Sequence, residues 1–362
     1  QMRKIAFVVQ TFDKRDRGGV LRVIAYLANH LSKKYQVEIV SCGVINELAY
    51  KLDSKVNLKS LNMLKYNTTF YVGFNKLFWF KEVYKNIKAI IYDDVIWITS
   101  SPPLSLLFSF LKLKRKSLKV IGCDHTSTVY QKSIFIQKIR NFLLSKLDVM
   151  IGLTPQDIEY YKKNSINSVL IPNGIDLNSI SSNENHEKYL IFVGRFNNEK
   201  QPFKAINLFV NSSLISQGII LKMYGHGELE KELREFISKN EYSNSIKIIK
   251  GEVDPEVIYK DALALILTSK VEGFGLVLLE AISRNIPCLS FKTSYGPLNI
   301  IKNGENGFFI EDDVKDFNDK LILLKEIDRA NIYKSIDSYD ISNIFNSWEK
   351  LLEEIDLNIL KN

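Results

Sequence analysis

Two carboxylates and two glycines share one short stretch of this sequence. Glu272 and Glu280 bracket Gly273-Phe-Gly-Leu-Val-Leu-Leu279, and an apolar run, Ala262–Ser269, comes just before them. The run reads as a buried strand. Gly273 and Gly275, on either side of Phe274, permit a tight turn and close backbone approach to a ligand. The helix expected from Leu276 would offer unpaired N–H groups to an anion. Carboxylates beside such a phosphate-sized hole suit the hydroxyls of a sugar and a ribose better than they suit the phosphate. The plainer alternative is a strand-to-helix turn carrying surface glutamates.

Cations that could hold the phosphate lie earlier in the chain. Tyr189–Val193 reads as a strand, followed by Gly194, Arg195 and, five residues on, Lys200. One cation at a strand end and one opening a helix can clamp a diphosphate and neutralise a departing nucleotide. A surface charge pair is the competing reading. Asp124 and His125 end the strand pattern begun at Lys119, where open α/β sheets place ligand-contacting groups. A lone histidine there is otherwise structural. Gly18 and Gly19 separate a first strand, Lys4–Val9, from a helix over Val20–Ser32, and Gly225-His-Gly227 follows another strand. Gly251-Glu-Val253 ends a strand over Ser245–Lys250.

These residues fall at the junctions of an alternating strand–helix pattern. Strands read at Gln36–Cys42, Val95–Thr99 and Asp148–Thr154, with a helix starting at Thr154-Pro155 and a final amphipathic helix from Ile341. Alternation throughout predicts an α/β fold of two doubly wound parallel sheets, Rossmann-like domains facing a cleft. The polar, aperiodic stretch 177–188 reads as a linker. The expected domains are therefore 1–176, joined by the helix at 341–362, and 189–340.

The motif order resembles the retaining glycosyltransferases of family 4, which have the GT-B fold and of which many build bacterial surface polysaccharide. Gly18-Gly19, Pro172-Asn-Gly-Ile-Asp176, Gly194-Arg195…Lys200, Gly225-His-Gly227 and Glu272…Glu280 all occur in the family's order. The family often has an acid where Asn299 stands. The resemblance implies a nucleotide-sugar donor, UDP-linked, with Arg195 and Lys200 on its diphosphate. Glu272 would hold sugar hydroxyls and Glu280 the ribose. The amides of Phe274, Gly275 and Leu276 would line the phosphate, Gly227 and Val253 the nucleotide base. His125 would stabilise positive charge at the anomeric carbon. It also implies an N-terminal domain that binds the acceptor, a saccharide or lipid-linked saccharide. No Asp-x-Asp triplet occurs, so no metal and no other cofactor are expected.

Charge adds a partner. The sequence has net charge +8. Residues 1–180 carry 27 Lys and Arg against 13 Asp and Glu, the remainder 22 against 28. A basic half points to an anionic partner. Nucleic acid would need a recognisable module or stacking aromatics among the cations, and neither is found. The aromatic, basic segment 70–116 suits an anionic membrane surface instead. Three scattered cysteines, no apparent leader and no long apolar run suggest a cytoplasmic protein, peripheral on the inner face of the membrane. A nucleotide-sugar epimerase of the same fold is the nearest alternative enzyme, and an inactive scaffold a further one.

Overall fold

The computed structural model describes residues 3–63, 75–126, 128, 133–178, 187–250 and 254–357. It divides into two compact units, residues 1–173 with 344–362 and residues 174–343. Most of the expected linker and the expected base-binding Val253 lie outside the described residues.

The first unit runs β1 (Lys4–Val9), α1 (Gly19–Leu31), β2 (Gln36–Gly43), β3 (Val56–Met63), α2 (Asn75–Lys88), β4 (Val95–Thr99), α3 (Pro102–Lys114), β5 (Lys119–Gly122), α4 (Ile134–Leu144), β6 (Val149–Gly152), α5 (Pro155–Lys163) and β7 (Ser168–Leu170). Its described strands form one seven-stranded sheet in the order β3-β2-β1-β4-β5-β6-β7. Every pairing is parallel. That is why β1 and β4 are unbroken apolar runs: helices cover both faces, and all five residues of β4 are buried. Trp79, Val83, Ile87, Trp97, Leu104, Leu107 and Phe108 join one core on the side of α2 and α3.

The second unit runs β8 (Tyr189–Val193), α6 (Pro202–Val210), β9 (Ile220–Tyr224), α7 (Glu230–Lys239), β10 (Ile246–Ile249), α8 (Pro255–Tyr259), β11 (Ala262–Leu267), α9 (Leu276–Ser283), β12 (Cys288–Phe291), α10 (Tyr295–Ile300), β13 (Gly307–Ile310) and α11 (Val314–Leu323). Six described strands form its parallel sheet, in the order β10-β9-β8-β11-β12-β13.

The last helix, α12 (Ile341–Asp356), returns to the first unit. Ile344, Trp348, Leu351, Leu352 and Ile355 form its buried stripe. Glu349 on its polar side pairs with His30 at 2.7 Å and with Lys34. Lys119 donates to the carbonyl of Ile355 at 3.1 Å, closing the helix end.

The apolar residues of the segment 70–116 are divided between core and surface. Residues 70–74 lie outside the described residues. In α3, Leu104, Leu107, Phe108 and Leu111 are core, because they face β4 and β5. Only Phe110 and Leu113 of its large apolar residues are exposed. Leu77 and Phe78 of α2 are exposed, whereas Trp79, Val83 and Ile87 are buried.

Candidate active site

Open parallel sheets bind ligands beyond the carboxyl ends of their strands, where strand order reverses. In the second unit that point lies between β8 and β11. The chain leaves β8 as Gly194-Arg195 and leaves β11 as Thr268-Ser269 on the way to Glu272. Topology alone thus brings together residues that are far apart in sequence. Lys200 Nζ lies 2.5 Å from Glu272 Oε2. Ser269 donates to the same carboxylate oxygen at 3.1 Å. The amide of Glu272 donates to Ser294 Oγ at 3.1 Å, and Thr293 donates to the Ser269 carbonyl at 2.7 Å.

Lys200 is fixed from its backbone. Its N–H bonds Asn197 Oδ1 at 3.0 Å, and its carbonyl accepts from Thr268 Oγ1 at 3.1 Å. Arg195 is exposed and, among the described residues, makes no ion pair. The turn that carries it is clamped from behind. Phe196 N–H donates to the His226 carbonyl, and Leu229 N–H to the Phe196 carbonyl, both at 2.9 Å. Those contacts explain the glycines. A Cβ at Gly225 would stand 1.9 Å from the Gly194 carbonyl oxygen, and one at Gly227 would stand 2.5 Å from that of Phe196. Gly227 is thus a support for the Arg195 turn.

Gly275 is left-handed, with φ of 92°, and caps the N-terminus of α9. Gly273 has no such conformation. Phe274 is buried and meets Tyr339 edge-on at 5.7 Å. A Cβ on Gly296 of α10 would lie 2.1 Å from the Phe274 carbonyl oxygen, so α10 is pressed against this turn. Glu280 is buried in α9, and its Oε2 accepts from the Tyr259 hydroxyl at 3.1 Å. Asn299 donates to the Tyr295 carbonyl at 2.7 Å. Ser269, Thr293, Ser294 and Asn197 went unnoticed in the sequence, since single hydroxyls and amides in loops carry no pattern. The Gly-Pro pair at 296–297 was the one available signal for the brace behind Phe274.

In the first unit, strand order reverses between β1 and β4. Gly18 and Gly19 follow β1, and His125 ends β5 one strand beyond β4. Gly18 caps α1 in an extended conformation with room for a Cβ, so its backbone needs no glycine. Its loop is tied down by Asp13, which accepts from Arg15 Nε at 2.7 Å and from the Asn46 amide at 2.6 Å. Burial pushes the Asp13 carboxyl up, but these hydrogen bonds outweigh it and lower it to about 2. Tyr50 closes the loop by donating to the Gly18 carbonyl at 3.2 Å.

His125 has φ of 51°, a left-handed conformation that a non-glycine residue adopts at a cost. Its Nε2 sits 3.4 Å from Cys123 Sγ, and its Nδ1 is buried without a hydrogen-bond partner among the described residues. Burial pushes its pKa down to about 4, so the ring is neutral at pH 7. Beside it, Asp124 is buried, accepts from Ser105 at 2.5 Å and pairs with Arg140 at 3.0 Å. Among the described residues no three His, Cys, Asp or Glu side chains cluster as a metal site.

Two family models match this chain in sequence. "Glycosyltransferase Family 4" matches residues 17–179, and "Glycosyl transferases group 1" matches residues 176–339. Together they run without a gap over both units. This is a glycosyltransferase of GT-B fold. This glycosyltransferase is 26% identical to an uncharacterized glycosyltransferase of Haemophilus influenzae, over 97% of this chain and 100% of the relative. It is 24% identical to the GalNAc-alpha-(1->4)-GalNAc-alpha-(1->3)-diNAcBac-PP-undecaprenol alpha-1,4-N-acetyl-D-galactosaminyltransferase of Campylobacter jejuni, over 98% of this chain and 99% of that one. A structure of a mutant of S. aureus TarM, in complex with fondaparinux, alpha-GlcNAc-glycerol and UDP, matches all of both chains with a TM-score of 0.77 at 15% identity. That likeness concerns the fold. The glycosyltransferase is of the bacterial polysaccharide type, and among its described residues no helix is long and apolar enough to cross a membrane.

Proposed function

We propose that this glycosyltransferase moves a hexose or N-acetylhexosamine from a UDP-sugar to a saccharide on a lipid carrier, with retention and without a metal. The observation that carries the reading is the Lys200–Glu272 contact at the switch point of the second sheet, beside an exposed Arg195. A diphosphate arriving there would take Lys200 and Arg195 as partners and release Glu272 to accept from sugar hydroxyls. Ser269 would hold the freed carboxylate and Ser294 the Glu272 backbone. The amides of Phe274, Gly275 and Leu276, at the positive end of α9, would face the phosphate. Glu280 would read the ribose.

In the transfer, the bond from the anomeric carbon to the leaving phosphate oxygen breaks as the acceptor oxygen bonds on the same face. The acceptor proton passes to the departing diphosphate, whose charge Arg195 and Lys200 stabilise. A neutral His125 suits a reaction centre that turns positive, because an imidazolium would oppose it. The lipid-linked acceptor, the cytoplasmic face of the membrane and an anionic lipid partner for the basic first half belong to the same reading. Its support is the net charge of that half and the undecaprenol-linked substrate in the Campylobacter enzyme's name.

The test is to supply a panel of UDP-sugars with a lipid-linked saccharide acceptor, in EDTA, and read released nucleotide and product anomer by NMR. UDP release with the donor's own anomeric configuration is expected. An inverted product would overturn retention, and activity restored only by Mg²⁺ would overturn metal independence.

A further inference from the structure

Helix α4 is built inside out. Apart from Leu144 in the core, its inward side is polar: Arg140 pairs with Asp124 at 3.0 Å, Gln137 donates to the Tyr160 hydroxyl at 2.5 Å, and Asn141 donates to Tyr160 at 2.9 Å and Asn164 at 2.8 Å. Its outward side is apolar, with Ile134, Phe135, Ile139 and Phe142 exposed by 78, 74, 47 and 58%. A helix covering a soluble domain has the opposite arrangement. The register cannot simply roll over. Turning the apolar side inward would break four hydrogen bonds and strand a buried Asp124 carboxylate without its cation.

A contiguous apolar patch of this kind marks a surface that something covers. The charge around it says what. Residues 134–147 contain Lys138, Arg140 and Lys146 and no acid. The Lys146 ammonium lies 4.4 Å from the Phe142 ring centroid. The neighbouring α3 packs against α4, exposes Phe110 and Leu113, and leads into Lys114-Arg-Lys116. Exposed aromatic and branched side chains on a stretch that carries cations and no acid fit the headgroup layer of an anionic bilayer.

We propose that α4 is the membrane-docking helix, lying in the interface with Phe135, Ile139 and Phe142 inserted and Lys138 and Lys146 on anionic headgroups. This centres the docking surface on α4, with only the end of the segment 70–116 suggested by sequence, from Phe110 to Lys116, at its border. The inference deepens the lipid-linked reading but stands on α4 alone, so vesicle binding without any nucleotide or acceptor tests it separately. If transfer fails while flotation persists, the enzymatic reading falls and the docking helix stands.

The experiment is flotation of the full chain with phosphatidylcholine vesicles, with and without phosphatidylglycerol. Wild type should float with the anionic vesicles and much less with the neutral ones. The triple variant Phe135→Ser, Ile139→Ser, Phe142→Ser should bind at least about tenfold more weakly, and Lys138→Glu should cost about tenfold on anionic vesicles only. Both should keep the wild-type unfolding midpoint, since these side chains are exposed. Unchanged binding of the triple variant would overturn the proposal, as would failure of wild type to float. A concentration-dependent dimer in sedimentation that the triple variant abolishes, without lipid binding, would assign the face to a second copy instead.

Discussion

The two units present their candidate residues in opposite states. In the second, the charged groups are largely satisfied within the unit: Lys200 on Glu272, Ser269 on the same carboxylate, Glu272 N–H on Ser294. In the first, polar atoms near the carboxyl edge of the sheet are left over. Among the described residues, Ser101 Oγ, His125 Nδ1, Gln137 Oε1 and Arg140 Nε are buried without hydrogen-bond partners. A buried unpaired group costs about 1–3 kcal/mol, which a ligand can recover. The contrast is between a unit that is pre-organised and a unit whose unpaired atoms a ligand would complete.

The contrast can be broken first at its charged centre. Lys200→Ala should lower kcat/KM by about 10²–10³, the loss seen for one preorganised charge stabiliser. Near-normal turnover in steady-state kinetics would remove Lys200 from the mechanism. Next come the glycines. Gly227→Ala drives a Cβ into the Phe196 backbone and should destabilise the second unit by about 1–3 kcal/mol in urea unfolding. Gly18→Ala, in the first unit, meets only an ordinary contact with the Asp16 carbonyl oxygen at 3.9 Å and should stay within about 0.5 kcal/mol. Equal effects of the two would erase the difference between a forced turn and a permissive one.

A pH titration sharpens the first unit's side. The unfolded His125 takes its proton near 6.5, whereas the folded ring is pushed down to about 4. Between those values the unfolded chain binds more protons, so stability is full above about 6.5 and falls as pH drops toward 4. His125 should titrate below pH 5 by NMR, and a midpoint near 6.5 would contradict its burial. On turnover, Ser269→Ala should do less than Lys200→Ala. Losing one hydrogen bond to the Glu272 carboxylate should cost about 1 kcal/mol, a severalfold drop in turnover with the fold intact.

How legible was this in the sequence? Strands β1, β4 and β8 were readable to the residue, because a strand buried on both faces is a continuous apolar run. The helix α12 is readable from its stripe at 348, 351, 352 and 355, to which the structure adds Ile344. The motifs of the second unit could be named, but their meeting could not: Lys200 and Glu272 are 72 residues apart and are joined only by strand order. The need for Gly227 comes from the Phe196 backbone, which no local pattern reveals. Segment 104–111 looked interfacial because aromatics beside lysines read alike on a core helix and a membrane helix. Conversely α4 was passed over. Its inward side is set by Asp124, Tyr160 and Asn164, partners that lie far from it in the sequence.

The most direct test of the central claim is the unfolding midpoint of wild type and of Lys200→Ala with UDP and UDP-sugars. At about 100 times Kd, wild type should gain about 2.7 kcal/mol, most of it lost in the variant. No shift with any nucleotide, or an equal shift in both proteins, would contradict a diphosphate site at Lys200 and Glu272.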